Sequence, residues 1–460
     1  MALKRPQLKH YDISYVIAIA IHAFLGLVIY FNESIAKLYF FVAMGYFLFK
    51  IMFTSNKNRT IEVLKACAYF VGAEVFFRTT HGTLSYEAGK YMVIVFITIG
   101  VFYQGISGKA YPYFVYLMFL VPSIFVASTT LQFDVNFRTN IAFVLSGPVC
   151  LGIAALYCYD RKVTYTQLNK VLLYMLLPLI AHAAYNHFYT PDLQSILTST
   201  ASNRAASGGF GANQVATALG LGMFIVAIRF FNKSPTLEMK ILNLFLFGII
   251  SFRALVTLSR GGVYTAIIAI LAFLPIYYSA VGRKKRNSLV LLFGLFCFGM
   301  VAIWGYSSTQ TNGLLDKRYA NQNARGVEKS DISTGRFTLF QQEIEGFISH
   351  PFLGIGSSRA KDARIEFEGQ GVTSHNELSR TLAEHGFLGI IILLILIIKP
   401  LVYRTKNKKN VYFYAFMCIW FATINHSSMR IAMPAFIYAL ALLNVTHETA
   451  PLHRKQLKTA

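Results

Sequence analysis

The stretch Gly371-Val-Thr-Ser-His-Asn-Glu-Leu-Ser-Arg-Thr-Leu-Ala-Glu-His-Gly386 runs straight into an apolar segment, residues 387–403. A polar helix set against a segment long enough to span a bilayer points both to the fold and to the place for chemistry. Ser374 and Glu377 have the S-x-x-E spacing of a capping box, which predicts Ser374 as N-cap and puts His375 and Asn376 in the first turn. Gly386 suits the residue just past the helix end. Unpaired backbone N–H groups and the positive end of the helix dipole attract anions such as phosphate and disfavour imidazolium. His375 is therefore expected to be neutral, able to accept a proton, and adjacent to an anion site.

The same pattern extends along the whole chain. Of its 460 residues 55% are hydrophobic, and apolar runs of roughly 17–25 residues, the length that crosses a bilayer as helix, recur from end to end. The expected fold is all-α: a polytopic transmembrane helical bundle of about 12–14 spans with one long, partly helical periplasmic loop. Spans are expected near 12–30, 36–53, 61–77, 90–106, 111–127, 140–158, 168–188, 211–231, 238–256, 262–280, 287–307, 387–403, 411–426 and 430–446. Residues 1–188 read as N-terminal transmembrane helices and 189–307 as central ones with arginine-bearing outer loops. Residues 308–386 read as a large periplasmic loop with a catalytic helix, and 387–460 as C-terminal helices with a cytoplasmic tail.

The net charge of +23 would suggest nucleic acid on a soluble protein. Here the basic residues sit in short gaps between apolar runs, as in the cytoplasmic loops of membrane proteins, so no nucleic-acid partner is expected. The basic leader Lys4, Arg5 and Lys9 orients the first span, read as uncleaved because no small-residue cleavage site follows it. Alternation then places Lys57/Arg59, Lys109, Arg161/Lys162, Lys233/Lys240, Arg283–Arg286, Arg404–Lys409 and Arg454/Lys455 on the cytoplasmic side, with both termini. The five cysteines lie in or beside apolar runs without a C-x-x-C pair, which supports neither a disulfide framework nor a zinc site.

Three hydrophilic segments fall on the outer side: 189–211, the turn Thr257-Leu-Ser-Arg-Gly-Gly262, and the insert 308–386, which holds about half of the acidic residues. Within the insert, Phe337, Phe340, Ile344 and Phe347 recur at helical spacing and predict an amphipathic helix over 334–350, stopped by Pro351. It would lie on the membrane surface or pack over the bundle.

His375 reads as a general base with Asn376 positioning substrate; the plain alternative is a histidine that only bonds locally. Arg260, at the outer boundary between two apolar runs, reads as a phosphate clamp beside Ser259, or as a snorkelling interfacial arginine. Arg204 precedes the flexible turn Gly208–Gly211, and Asn213 is placed to cap the next helix; taken alone, Arg204 is an ordinary loop arginine. Arg336 and Arg380 are weaker candidates, and Glu384 is structural. Glu74 and Arg253 are candidates for internal pairing. The absence of D-x-D, H-E-x-x-H, G-x-S-x-G and phosphate-loop motifs gives no reason to expect a metal, a nucleotide or any cofactor.

Together, Arg204…Gly-Phe-Gly-Ala-Asn213-Gln-Val-Ala, Thr257-Leu-Ser-Arg-Gly-Gly, Gly335-Arg-Phe…His350-Pro-Phe-Leu-Gly-Ile-Gly356 and Ser374-His-Asn-Glu-Leu…Leu382-Ala-Glu-His-Gly-Phe-Leu-Gly389 resemble the O-antigen ligase and O-antigen polymerase family of bacterial membrane glycosyltransferases. The match covers roughly the second half of the chain. Phe340 stands where family members often carry Trp, and the span count exceeds the family's usual number. The resemblance implies metal-independent transfer of a glycan from an undecaprenyl-diphosphate-linked donor, at the periplasmic face of the bacterial inner membrane. It carries catalytic roles to His375, Arg260 and Arg204, with Asn376, Arg336, Asn213, Ser259 and Arg380 binding substrate. The acceptor hydroxyl would belong to lipid A core in a ligase, to a growing glycan in a polymerase, or to a protein in an O-oligosaccharyltransferase; membrane lipid is the other partner. Because the donor is already activated and the acceptor attacks opposite the leaving diphosphate, inversion is expected. A transporter or flippase for the same lipid is the competing class.

Overall fold

The computed structural model describes residues 6–132, 136–331, 333, 335–368 and 373–446. The leader residues Lys4 and Arg5, the tail pair Arg454/Lys455, Thr334 and Gly371 lie outside the described residues.

The chain is helical almost throughout. Its first half comprises α1 (Pro6–Phe31), α2 (Ser34–Phe53), α3 (Asn56–Thr79), α4 (Ala88–Gln104), α5 (Tyr111–Leu120), α6 (Pro122–Thr130), α7 (Phe137–Cys158), β1 (Lys162–Thr164), α8 (Tyr165–Tyr189) and α9 (Leu193–Ile196). The second half comprises α10 (Ala212–Asn232), α11 (Leu237–Leu255), α12 (Arg260–Ala280), α13 (Arg283–Gln310), α14 (Leu314–Tyr319), α15 (Arg336–Ser349), α16 (Arg359–Glu368), α17 (Glu377–His385), α18 (Phe387–Lys406), α19 (Phe413–His426), α20 (Met433–Ala441) and β2 (Asn444–Thr446).

Among the described residues nine helical segments are long and apolar enough to cross a membrane, fewer than expected. The physical reasons differ. Lys57, Arg59, Glu62, Lys65, Glu74 and Arg78 make α3 too charged, and Glu238, Lys240 and Arg253 do the same for α11. The segments expected at 411–426 and 430–446 form the short helices α19 and α20, and the second ends in β2, paired parallel with β1 through Val163 and Val445.

The bundle is built around α10, whose apolar window is wholly buried, while α13 lies at the periphery with most of its surface exposed. Close approach at the crossing of α10 and α12 depends on glycine. A Cβ on Gly262 would collide with the backbone of Ala216, and one on Gly220 with the backbone of Gly262.

The basic groups expected on one side gather at one end. Arg161 Nη1 and Thr60 both donate to Gln104 Oε1 (3.3 and 2.7 Å), and Gln104 Nε2 donates to Asn56 O (2.8 Å). Tyr403 donates to Asp160 Oδ1 (3.3 Å), and Lys109 lies 3.9 Å from that carboxylate. Lys233, Lys240 and Lys285 line one cavity at the same end.

At the opposite end lies the insert, more helical than expected, since it contains α14 and α16 as well as α15 and α17. Of the apolar stripe of α15, Phe337 and Phe340 are exposed and Ile344 and Phe347 half-buried, and its one fully buried side chain is Glu343. Glu343 accepts from Arg364 (2.8 Å) and from Ser379 Oγ (2.5 Å), so a carboxylate ties α15 to α16 and α17.

Candidate active site

The turn before α12 organises this end. Leu258 adopts a left-handed conformation (φ 56°), and its carbonyl accepts from Arg318 Nε (3.0 Å). Arg260 Nη1 donates back to Arg318 O (3.3 Å), clasping α14 to the start of α12. Arg260 and Arg336 then line a cavity of about 580 Å³, with Gly261, Tyr264, Tyr319 and His426 on its walls. Burial lowers the pKa of both Arg318 and Arg336, and each also feels the charge of Arg260. Mutual repulsion of this kind is relieved by an anion.

Tyr264 and Tyr319 meet edge-on at 5.5 Å. Both also line a second, apolar space of about 420 Å³ among α10–α13, walled by Phe247, Val263 and Trp304. The cationic cavity and the apolar groove thus share two tyrosines as a common border.

The helix after His375 starts two residues later than the spacing predicts. Asn376 is the N-cap of α17: its Oδ1 accepts from Leu378 N (2.8 Å) and Ser379 N (3.3 Å). Ser374 Oγ instead accepts from Asn376 N (3.3 Å) and donates to Asn376 O (2.9 Å). Glu377 cannot close a capping box because its carboxylate is engaged by Arg380 and by Met429 N (3.2 Å). His375 therefore precedes the cap rather than sitting in the first turn.

The cause of its neutrality changes accordingly. Burial first, then the charges of Arg430 and Arg336, depress the His375 pKa to about 3. Its Nδ1 is buried without a hydrogen-bond partner. Arg430 bridges to the segment before it, Nη2 donating to Thr373 O (3.0 Å) and Ser374 O (2.7 Å). Burial lowers the pKa of this guanidinium to about 10. Arg430 is held from behind: its carbonyl accepts from Arg78 (3.1 Å), which also donates to Gln214 (2.7 Å) and pairs with buried Glu74. Glu74 is thus internally paired, whereas Arg253 donates to the carbonyls of Asn186 and Thr190.

His426 closes the cavity from α19. Its ring lies on Gly261, where an added Cβ would come within 2.5 Å of Nδ1. Nε2 lies 3.2 Å from Thr265 Oγ1. Its carbonyl accepts from Asn213 Nδ2 (3.1 Å), and Asn213 Oδ1 accepts from Ser259 Oγ (3.4 Å). Asn213 lies inside the first turn of α10, whose N-cap is Gly211, so it links helices instead of capping one.

His375 thus lies within the fields of Arg336 and Arg430, and Arg336 within that of Arg260, which also bonds Arg318; of these, Arg260 and Arg336 line the cavity with His426, and Arg318, Arg430 and His426 are residues that the sequence reading missed. Arg204 is not among the residues lining the cavity: it is exposed on a loop whose Asn203 N donates to Thr257 O (3.0 Å). Arg380 is committed to Glu377 and to Val144 O (3.2 and 3.3 Å). Glu384 accepts from Ser358 N (2.9 Å), and burial lifts its pKa to about 7. Among the described residues no three His, Cys, Asp or Glu side chains come together to hold a metal. His426 and Arg430 carried one legible signal: a histidine and an arginine in a short gap between two apolar runs, the same pattern that picked out Arg260.

A comparison with curated proteins finds no match. Residues 245–394, the segment that carries Arg260, Arg318, Arg336, His375 and Arg380, match the family model described as O-antigen ligase.

Proposed function

We propose that the protein transfers a glycan from an undecaprenyl-diphosphate-linked donor to an acceptor hydroxyl, the lipid A core in the ligase reading, at the periplasmic face of the inner membrane. The family match supports glycosyl transfer of the O-antigen ligase or polymerase type. One observation supports the donor class most directly: a cavity walled by Arg260 and Arg336 borders an apolar groove across Tyr264 and Tyr319. A diphosphate on an isoprenoid chain has that division, an anion joined to a hydrocarbon.

In this reading Arg260 and Arg336 hold the diphosphate and stabilise its charge as the bond from C1 to the phosphate oxygen breaks. The acceptor oxygen bonds to C1 from the opposite face, with inversion, and its proton goes to His375. A base of pKa about 3 is weak. The diphosphate would offset the Arg336 and Arg430 charges that help to depress it, so donor binding raises the basicity of His375. Asn376 and Arg380 act as positioning residues, the first by capping α17 and the second through Glu377. In this reading Arg336 takes the place that the sequence reading assigned to Arg204.

The test is conversion of donor and acceptor to product by the purified chain in detergent, with wild type and His375→Ala compared. The variant is expected to stay folded and to lose about 10²–10⁴-fold in rate, the usual contribution of a general base. A normal rate in His375→Ala removes the base assignment, and no conversion by wild type favours a lipid-glycan transporter. In cells lacking the gene, long polymer accumulating on the carrier while lipopolysaccharide loses it identifies a ligase. Single repeat units on lipopolysaccharide indicate a polymerase, and loss from protein alone indicates a protein O-oligosaccharyltransferase.

A further inference from the structure

The insert is rich in charge except at one turn. From Gly346 to Ser358 the chain carries no aspartate, glutamate, lysine or arginine, and His350-Pro-Phe-Leu-Gly354 leads from α15 towards α16. Ile348, Phe352 and Leu353 are exposed there, Phe352 by 81% of its surface. Large apolar side chains grouped on a surface mark contact with another apolar phase.

Two candidate membrane spans fix the height of this turn. Phe387 is the first residue of the span Phe387–Lys406, and its N–H donates to Pro351 O (2.7 Å) and Phe352 O (3.2 Å). On its other side the turn lies along α6, the last part of the span Gly108–Thr130. Thr130 Oγ1 donates to Ile355 O (3.0 Å), Ser357 N donates to Ser123 O (3.1 Å), and the hydroxyls of Ser123 and Ser357 lie 2.6 Å apart. Ser123 is about 10 Å nearer the middle of that span than Thr130. Gly356 permits the approach: its backbone is left-handed (φ 93°), and a Cβ there would come within 2.7 Å of Ala127 N. The turn therefore sits beside the ends of two spans rather than above them. Phe387 is exposed as well, so the apolar surface of its span runs on into the turn.

We propose that Ile348, Phe352 and Leu353 insert into the bilayer on the side of the insert, at the boundary of headgroups and acyl chains, and anchor the insert there. A bilayer asks only for apolar surface, and this stretch offers none of the carboxylates, lysines or arginines that would orient a protein partner. The anchor also holds the helix that follows His375: Ile355 N donates to Ala383 O (2.8 Å) and Gly356 N to Glu384 O (3.3 Å), both at the C-terminal end of α17.

The experiment places the full chain in nanodiscs of phosphatidylcholine, with and without bromine on the acyl chains near the headgroup. Phe352→Trp and Leu353→Trp each add an indole to the native Trp304 and Trp420, and the added emission is read as the difference from wild type. That emission is expected to lose most of its intensity in brominated lipid and to be protected from aqueous iodide. Val327 is also exposed, but it lies on a turn whose described hydrogen bonds reach neither span. Val327→Trp is expected to behave in the opposite way, quenched by iodide and not by lipid. Both turn variants replace an exposed side chain, and either one carries the test if the other misfolds. Quenching of the turn variants by iodide and not by lipid would stand the turn in water and overturn the proposal. Shielding from both quenchers would mean that protein, such as a second copy of the chain, covers the patch, and would overturn it too. Equal lipid quenching in Val327→Trp would lay the whole insert on the membrane and remove the anchor from this turn.

Discussion

Two sets of cations share the end of the molecule where His375 lies, and they are answered differently. Arg78 with Glu74, Lys90 with Glu87, Arg380 with Glu377 and Arg364 with Glu343 are buried pairs. The first joins α3 to the loop before α20, the second holds the start of α4 to Ser146 of α7, and the last joins α15 to α16, with Ser379 of α17 on the same Glu343 carboxylate. Arg318 and Arg430, by contrast, donate to backbone carbonyls, and Arg336 shares a cavity wall with Arg260. A carboxylate partner neutralises an arginine and fixes its position, so the first set builds a frame. Carbonyls position a guanidinium without cancelling its charge, so in the proposed function the second set would turn its field on the bound diphosphate. The same residue type is tied by carboxylates in one set and held by carbonyls in the other.

The largest expected effect breaks the frame. Glu343→Ala leaves Arg364 buried without this carboxylate and removes the acceptor of Ser379 Oγ. We expect a loss of about 3–5 kcal/mol, read as a large fall in the thermal midpoint of the detergent-solubilised protein. A small fall would show that the insert does not depend on this pair. Next, Arg336→Ala is expected to leave the midpoint nearly unchanged and to slow transfer about 10²–10³-fold, with R336K intermediate because it keeps charge but loses the planar fork. Equal loss of stability in Arg336→Ala and Glu343→Ala would erase the distinction between the two sets.

A smaller effect tests the cavity wall. Gly261→Ala pushes on the His426 ring, a side chain that can give way, whereas Gly262→Ala meets the backbone of Ala216. The first is expected to cost about 1–3 kcal/mol and the second more, because overpacking against backbone relaxes less. The reverse order would mean that His426 is the more rigid neighbour.

The smallest effect is in pH dependence. With the folded His375 pKa near 3 against 6.5 in the unfolded chain, kcat/KM should show no His375 limb between about pH 8 and pH 5. Stability has the same sign. Below pH 6.5 the unfolded chain takes up a proton that folded His375 refuses, so stability falls as pH drops from 6.5 towards 3. His375→Gln should flatten that part of the stability curve; an unchanged slope would locate the acid sensitivity elsewhere, for instance at buried His385.

How much of this was legible follows from the range of each interaction. The apolar runs announce the helices, because a hydrophobic stretch carries its own length and period. Gly386 just past α17 was also readable, since a left-handed backbone there favours glycine. The start of α17 was misread because Ser374 and Asn376 are both competent caps, and a distant contact, Glu377 with Met429 N, decided between them. Phe337 and Phe340 announced an amphipathic helix, yet the contact that seats α15 is made by Glu343, whose partners lie in α16 and α17.

The sequence by itself determined that the chain is a helical membrane bundle and that His375 and Arg260 stand out as polar groups where apolar residues dominate. These are properties of composition and of spacing within a single segment. Only the tertiary structure decided that Arg336, Arg318, Arg430 and His426 gather near His375 and Arg260, that Arg204 lies exposed and off the cavity wall while Arg380 is tied to Glu377, and that the cationic cavity borders an apolar groove. These depend on which helix ends meet, and meeting is governed by close packing and by buried charges finding partners across the whole chain.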